Sequence, residues 1–171
     1  MLAYVHVPKT GGMSIRSHVQ SRSNDKEKTI KYFGHVPISD EIKRKYTVVS
    51  CLRDPYDLFM SLYRFKLYHY TDDSRWKIQH MIDHVKQHGY RGYRNHWYKH
   101  NLPDIMLDFN HLQRDWNKLC VNHDLHELKQ LPHLHCTKHV EYTSPTIDQQ
   151  QQIRRLIEPD TELYQQLRRQ F

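Results

Sequence analysis

The chain has 171 residues, 37 % of them hydrophobic, with twelve Tyr and a formal charge of +7. This length and composition exclude a disordered segment and fit a single domain, 1–171, large enough for a three-layer α/β core. The surplus of Lys and Arg directs attention to an anionic partner, nucleic acid among the candidates. Three Cys are too few for a disulfide framework, and no apolar run has the length of a signal peptide or membrane span.

In chain order, the apolar run at 2–7 reads as a buried strand that Pro8 ends. Lys9-Thr10-Gly11-Gly12 follows, and a helix starts near Met13 and runs to about residue 22. A cation, a hydroxyl and two positions without a Cβ allow backbone N–H groups to close around an anion at the mouth of that helix. Ser14 either adds a hydroxyl or helps to cap the helix. Lys9 precedes the glycines, so the order is not that of a Walker A loop. Taken alone, the segment also fits a plain strand-turn-helix connection with a solvated Lys.

A polar loop at 23–28 leads into the aromatic strand Lys31-Tyr32-Phe33, which ends in Gly34-His35-Val36-Pro37. A helix near 39–45 and a β-branched strand at 46–52 come next. Arg53 stands where that strand ends, Asp54 is a helix N-cap, and Pro55 takes the first helical position. The helix runs to about residue 70, with Leu58, Phe59, Leu62 and Phe65 as its apolar stripe and Ser61 eight residues beyond Arg53. The carboxyl end of a strand is where open α/β sheets bind ligands, and the planar fork of Arg suits phosphate. Arg53 taken alone also fits a surface pair with Asp54 or Asp57. Two such junctions in one small chain describe a site for a molecule with two separate phosphates.

Helices are expected near 74–88 and 93–100, a short strand at 104–109, and a helical run at 111–121 with Leu112, Trp116, Leu119 and Cys120 on one face. The segment 146–171 is helix-forming, its expected role packing. Strands alternating with helices imply a mainly parallel sheet with helices on both faces. The run Tyr90-Arg91-Gly92-Tyr93-Arg94-Asn95-His96-Trp97-Tyr98-Lys99 interleaves aromatics with cations, a pattern that suits sugar stacking or single-stranded nucleic acid and also ordinary surface. His133, His135, Cys136 and His139 are metal-ligand types at close spacing but lack paired C-x-x-C spacing. They read as a His-rich loop, and no metal is expected.

Pro8-Lys9-Thr10-Gly11-Gly12-Met13-Ser14 and Arg53-Asp54-Pro55-Tyr56-Asp57-Leu58-Phe59-Met60-Ser61-Leu62-Tyr63, with Gly34-His35-Val36-Pro37 between them, resemble the sulfotransferases that use 3′-phosphoadenosine-5′-phosphosulfate (PAPS). The resemblance is to the carbohydrate branch that includes the heparan sulfate 2-O-sulfotransferases. It implies a P-loop-NTPase-like sulfotransferase fold, a three-layer sandwich with a mainly parallel central sheet. It implies further that the loop Lys9, Thr10, Gly11, Gly12, Met13 and Ser14 holds the 5′-phosphosulfate and that Arg53 and Ser61 hold the 3′-phosphate. His35 would take the proton from the acceptor hydroxyl, a role for which a His of near-neutral pKa is suited. Other His residues compete for that role. Lys9 would stabilise charge on the bridging oxygen as the sulfuryl group leaves.

The stretch Leu131-Pro132-His133-Leu134-His135-Cys136-Thr137-Lys138 resembles a further family loop that brings Lys138 to the nucleotide, and Asp160-Thr161-Glu162-Leu163-Tyr164 resembles the family's ending. Departures are Met13, where the family often has a small hydroxyl residue, Leu58, where it usually has a second Arg, and Asn110, where it often has Glu. The function so implied is transfer of a sulfuryl group from PAPS, leaving PAP, to a hydroxyl, with a glycan first among acceptors and no metal required. Donor and acidic acceptor account for the positive charge, so nucleic acid is not favoured. The alternatives are a degenerate sulfotransferase fold that binds PAP or a sulfated glycan without turnover, and a P-loop kinase. With Met1 directly before the first strand, the expectation is a soluble cytoplasmic microbial or viral protein, the alternative a trimmed Golgi-lumenal domain. Cys120 with Cys136 is the one pair considered for a bridge.

Overall fold

The computed structural model describes residues 1–21, 30–70, 77–125, 130–132 and 142–169. The chain forms two compact units, Met1–Arg53 with Trp97–Cys136, and Asp54–His96 with Thr137–Phe171. The protein is α/β, with an all-parallel central sheet flanked by helices in the three-layer arrangement expected.

In the first unit the strands β1 (Leu2–Val5), β2 (Lys31–Phe33), β3 (Thr47–Leu52) and β4 (Ile105–Asp108) lie in the order β2-β1-β3-β4. Tyr4 pairs with Tyr32 on one side and Val49 on the other, and Leu52 pairs with Asp108. Alternate side chains of β1 and β3, among them Leu2, Tyr4, Val49 and Cys51, pack with Ile15 and Val19 of α1 (Gly12–Ser21) and Trp116 and Leu119 of α5 (Leu112–Asn122). The opposite register of β1 and β3 is buried as well, Ala3, Val5, Val48 and Ser50 all being fully buried. A sheet covered on both faces needs uninterrupted apolar strands, and for that reason these segments show no polar alternation. The buried polar exception is Ser50, which donates to the Val5 carbonyl at 2.9 Å and accepts from the Tyr98 hydroxyl at 2.9 Å.

Strand β1 is shorter than the run 2–7 suggests. His6 still donates its backbone N–H to the Phe33 carbonyl at 3.2 Å before the chain turns away. Ser39 caps α2 (Asp40–Lys45), accepting from the Ile42 N–H. Asp104 precedes β4 and ties it to its neighbours: its carboxylate accepts from the Val48 N–H at 2.7 Å and pairs with Lys43. At the other end of β4, Asp108 accepts from the Asn110 N–H at 2.9 Å and turns the chain into a 3₁₀ turn, Phe109–His111, that leads into α5.

The second unit holds the helices α3 (Pro55–Tyr70), α4 (Ile78–His88), α6 (Ile147–Leu156) and α7 (Glu158–Arg168). Asp54 caps α3 as expected, its Oδ1 accepting from the N–H groups of Tyr56 at 2.9 Å and Asp57 at 3.1 Å. Phe59, Met60 and Tyr63 pack with Met81, Ile82 and Val85 of α4 and with Ile153 and Ile157. The described residues of the helix-forming segment 146–171 form two helices. Thr146 and Gln149 make a capping box for α6, and the break falls at Ile157 because Pro159 has no N–H with which to continue the ladder. The polar loop at 23–28, the start of the helix expected at 74–88 and the stretch 133–141 lie outside the described residues. No helix among the described residues is long and apolar enough to cross a membrane.

Candidate anion-binding site

In the order β2-β1-β3-β4, β1 connects onward to one side of the sheet while β3 connects to the other. Adjacent parallel strands that diverge in this way leave a crevice beyond their carboxyl ends, the usual ligand position in open α/β sheets. The residues leaving β1 there are 6–12, and the residue leaving β3 is Arg53.

Lys9 holds a φ of +63°, a left-handed conformation that costs a residue with a Cβ about 1–2 kcal/mol. Its carbonyl accepts a hydrogen bond from Arg53 Nη1 at 2.9 Å, and the Arg53 guanidinium lies 4.3 Å from the centre of the Phe109 ring. Burial and the neighbouring Arg53 charge hold the Lys9 ammonium below its ordinary pKa. An anion placed beside both cations relieves that repulsion.

Two glycines shape the loop. Gly11 has a φ of +79°, and a Cβ there would meet Leu112 Cδ2 at 2.5 Å, so the turn lies flat on the Phe109–Leu112 corner. Gly12, the first residue of α1, has the His6 imidazole where its Cβ would be. Thr10 is fully buried and donates its hydroxyl to the Val7 carbonyl at 2.7 Å, fastening the loop from below. Ser14 is buried in the first turn of α1, its N–H donating to the Gly11 carbonyl at 3.1 Å, and Met13 is 40 % exposed.

The candidate base is close to this loop. The His35 ring is 4.5 Å from the His6 ring and 6.2 Å from that of Trp97, centre to centre, edge-on to both. Burial, then the Arg16 charge, lowers the His35 pKa from its ordinary 6.5 and favours the neutral imidazole that a base requires. Lys9, Thr10, Gly11, Gly12, Met13, Ser14, His35 and Arg53 all belong to the first unit. Ser61 belongs to the second, where α3 buries it. Leu58, at the family's Arg position, is likewise a buried residue of α3. Lys138 and the cluster of His133, His135, Cys136 and His139 lie outside the described residues, and no group of three or more metal-ligand side chains gathers among those that are described.

The aromatic run at 90–99 departs from the surface reading. Tyr90, Tyr93, Trp97 and Tyr98 are all buried, so their faces are spent on packing and offer no stacking platform to sugar or base. In the second unit, the buried Asp160 accepts from the N–H groups of Tyr93 at 2.6 Å and Arg94 at 2.9 Å. The ending Asp160-Thr161-Glu162-Leu163-Tyr164 thus caps a π-helical turn, Tyr93–Trp97, in addition to packing.

His6, Tyr32 and Phe109 were not singled out by their spacing. The available signal was a polar residue, His6, interrupting an apolar run immediately before a glycine loop. Compared with known proteins, the chain matches no protein-family model and no curated protein.

Proposed function

We propose that the protein is a sulfotransferase that moves a sulfuryl group from PAPS to the hydroxyl of an acceptor, a carbohydrate first among the candidates. The observation that carries this reading is the interlock of its two motifs. Arg53, which ends β3, holds the carbonyl of Lys9 in the glycine loop after β1, so two cations and the glycine turn come together at the carboxyl ends of adjacent strands. The His35 imidazole, whose neutral form burial favours, stands next to that loop through His6.

In this reading the acceptor oxygen attacks sulfur, the bond between sulfur and the phosphate's bridging oxygen breaks, and PAP leaves with the electron pair. Lys9 offsets the charge that grows on the bridging oxygen, and His35 takes the acceptor proton. The backbone N–H groups of Gly12 and Met13, at the start of α1, supply fixed dipoles for the anion.

A binding protein without turnover is the second reading, favoured by the buried Leu58 at the position of the family's second Arg. Calorimetric titration with PAP, beside ATP plus magnesium, tests the first. Binding of PAP that ignores magnesium and collapses in Arg53→Ala and Lys9→Ala is the expected result. Absence of PAP binding by folded protein, or tight binding of magnesium-ATP alone, overturns it. Loss of turnover in His35→Ala with PAP affinity kept separates enzyme from binder.

A further inference from the structure

Between the glycine loop and the candidate base stands a residue that neither motif assigns. His6 is 4 % exposed and follows β1 directly, its backbone anchored on Phe33 two residues before His35. Three of its surroundings define it. Its Nδ1 meets the Tyr32 hydroxyl, its ring occupies the place of a Gly12 Cβ, and its ring centre is 4.5 Å from that of His35 at an interplanar angle of 66°.

The first contact bears on the proton of His6. Burial pushes the Tyr32 phenol up to about 12, so it keeps its hydrogen and has one to donate to Nδ1. Burial, then the positive charge His35 carries when protonated, then those of Arg16 and Lys9, pushes His6 down to about 3, so its ring is neutral. A neutral imidazole that accepts at Nδ1 carries its hydrogen on Nε2.

Resting on the sulfotransferase reading, we propose that His6 is the positioning residue of this site: held by Tyr32 as the Nε2–H tautomer, it sets the Gly12 turn of the donor loop and the His35 ring in one fixed arrangement. It touches no reacting atom. Its ring is the spacer that gives the loop and the base a common reference, and its neutrality matters because a second imidazolium beside His35 would oppose proton uptake there. The charged and titratable groups facing the pair are Arg16 from α1, Lys9 from the loop and Tyr32 from β2. Trp97, its ring centre 6.2 Å from that of His35, adds a neighbour without a charge.

The test reads the imidazole nitrogens by ¹H–¹⁵N NMR from about pH 5 to about pH 9 in wild type, Tyr32→Phe and His6→Phe, with PAP titrated calorimetrically into each. The expected wild-type result is a single Nε2–H tautomer for His6 that does not protonate in this range. Tyr32→Phe is expected to mix the tautomers, and His6→Phe, which keeps a ring beside Gly12, to move the His35 midpoint. Both variants should weaken PAP about three- to tenfold, in line with lost positioning. A wild-type His6 that titrates near 6.5 or carries its proton on Nδ1 overturns the proposal, as does PAP binding and a His35 midpoint unchanged in both variants. Should wild type fail to bind PAP while His6 shows the expected tautomer and the variants move His35, the donor reading falls and the placing of His35 by His6 stands. If His6→Phe does not fold, the wild-type tautomer and Tyr32→Phe decide.

Discussion

The Lys9 carbonyl and the Arg53 guanidinium, 44 residues apart in sequence, are joined by a hydrogen bond of 2.9 Å. The bond fastens a backbone that would otherwise relax, since Lys9 sits at a φ of +63°. Strained conformations persist where surrounding structure over-determines them, and they concentrate at functional sites. Here the residue that ends β3 supplies the restraint for the loop after β1, so the two junctions are one device.

Lys9→Gly is therefore expected to stabilise the fold by about 1 kcal/mol, because glycine adopts the left-handed region freely, while weakening PAP binding about tenfold or more through loss of the ammonium. Arg53→Lys keeps the charge and loses both the fork to Lys9 and the stacking on Phe109, and should cost about 1–2 kcal/mol of stability. Urea denaturation and PAP calorimetry on the same samples check both. A Lys9→Gly protein less stable than wild type would show that the turn carries no strain.

Gly12 and His6 give a sharper expectation. A methyl group at Gly12 falls on the His6 ring, and overpacking of this kind costs about 1–3 kcal/mol. In a His6→Ala background the ring is gone and the cost of Gly12→Ala should shrink, leaving a coupling energy of about 1 kcal/mol or more in a double-mutant cycle. Additive effects would mean that the loop yields elsewhere and that His6 does not define its shape.

The elements were legible where physics is local. Pro8, the glycine pair and Asp54-Pro55 marked turn and cap positions that the structure keeps, and strands alternating with helices announced a parallel sheet flanked by helices. What was not legible depends on partners distant in sequence. The burial of Tyr90, Tyr93, Trp97 and Tyr98 could not be read from a stretch that alternates cations with aromatics, since that pattern serves surface and core alike. The role of Asp160 depends on backbone N–H groups 66 and 67 residues away, and that of His6 on a Tyr32 hydroxyl 26 residues away. Within the candidate site, the two motifs indicated the loop and Arg53, the family resemblance added His35, and the side chain joining the loop to that candidate base emerged only from the packing.

Asp160 carries a pH dependence of its own. Burial, opposed by the two backbone hydrogen bonds from Arg94 and Tyr93, raises its pKa above the ordinary 3.8. A carboxyl whose folded pKa is raised holds more protons folded than unfolded just above 3.8, so its contribution to stability falls as pH rises through that window. Asp160→Asn removes the titration and should flatten this part of the profile. It retains one amide oxygen for two donors and should cost about 1 kcal/mol at neutral pH, against about 2–4 for Asp160→Ala, which leaves both N–H groups buried without an acceptor. Denaturation midpoints at a series of pH values measure the effect. A wild-type profile that instead gains stability on rising through this window, with the gain lost in Asp160→Asn, would contradict the assigned direction.

Arg16 is the handle on the candidate base. It is exposed on α1, its guanidinium lies 5.9 Å from the centre of the Tyr32 ring, and its charge is the second cause, after burial, of the lowered His35 pKa. A base loses function as pH falls through its pKa, so the acidic limb of any His35-dependent rate lies below the ordinary 6.5. Arg16→Gln removes the charge and leaves the burial, so His35 should move only part of the way back, and the limb should move to higher pH with it. Raising the salt concentration should shift the wild type in the same direction, because exposed charges are screened over about 10 Å at 0.1 M. His35 chemical shifts followed through the titration give the midpoint directly, without an identified acceptor. A midpoint that stays in place in Arg16→Gln would leave burial as the sole cause, and one that falls would mean that Arg16 favours the imidazolium, contrary to the geometry of the site.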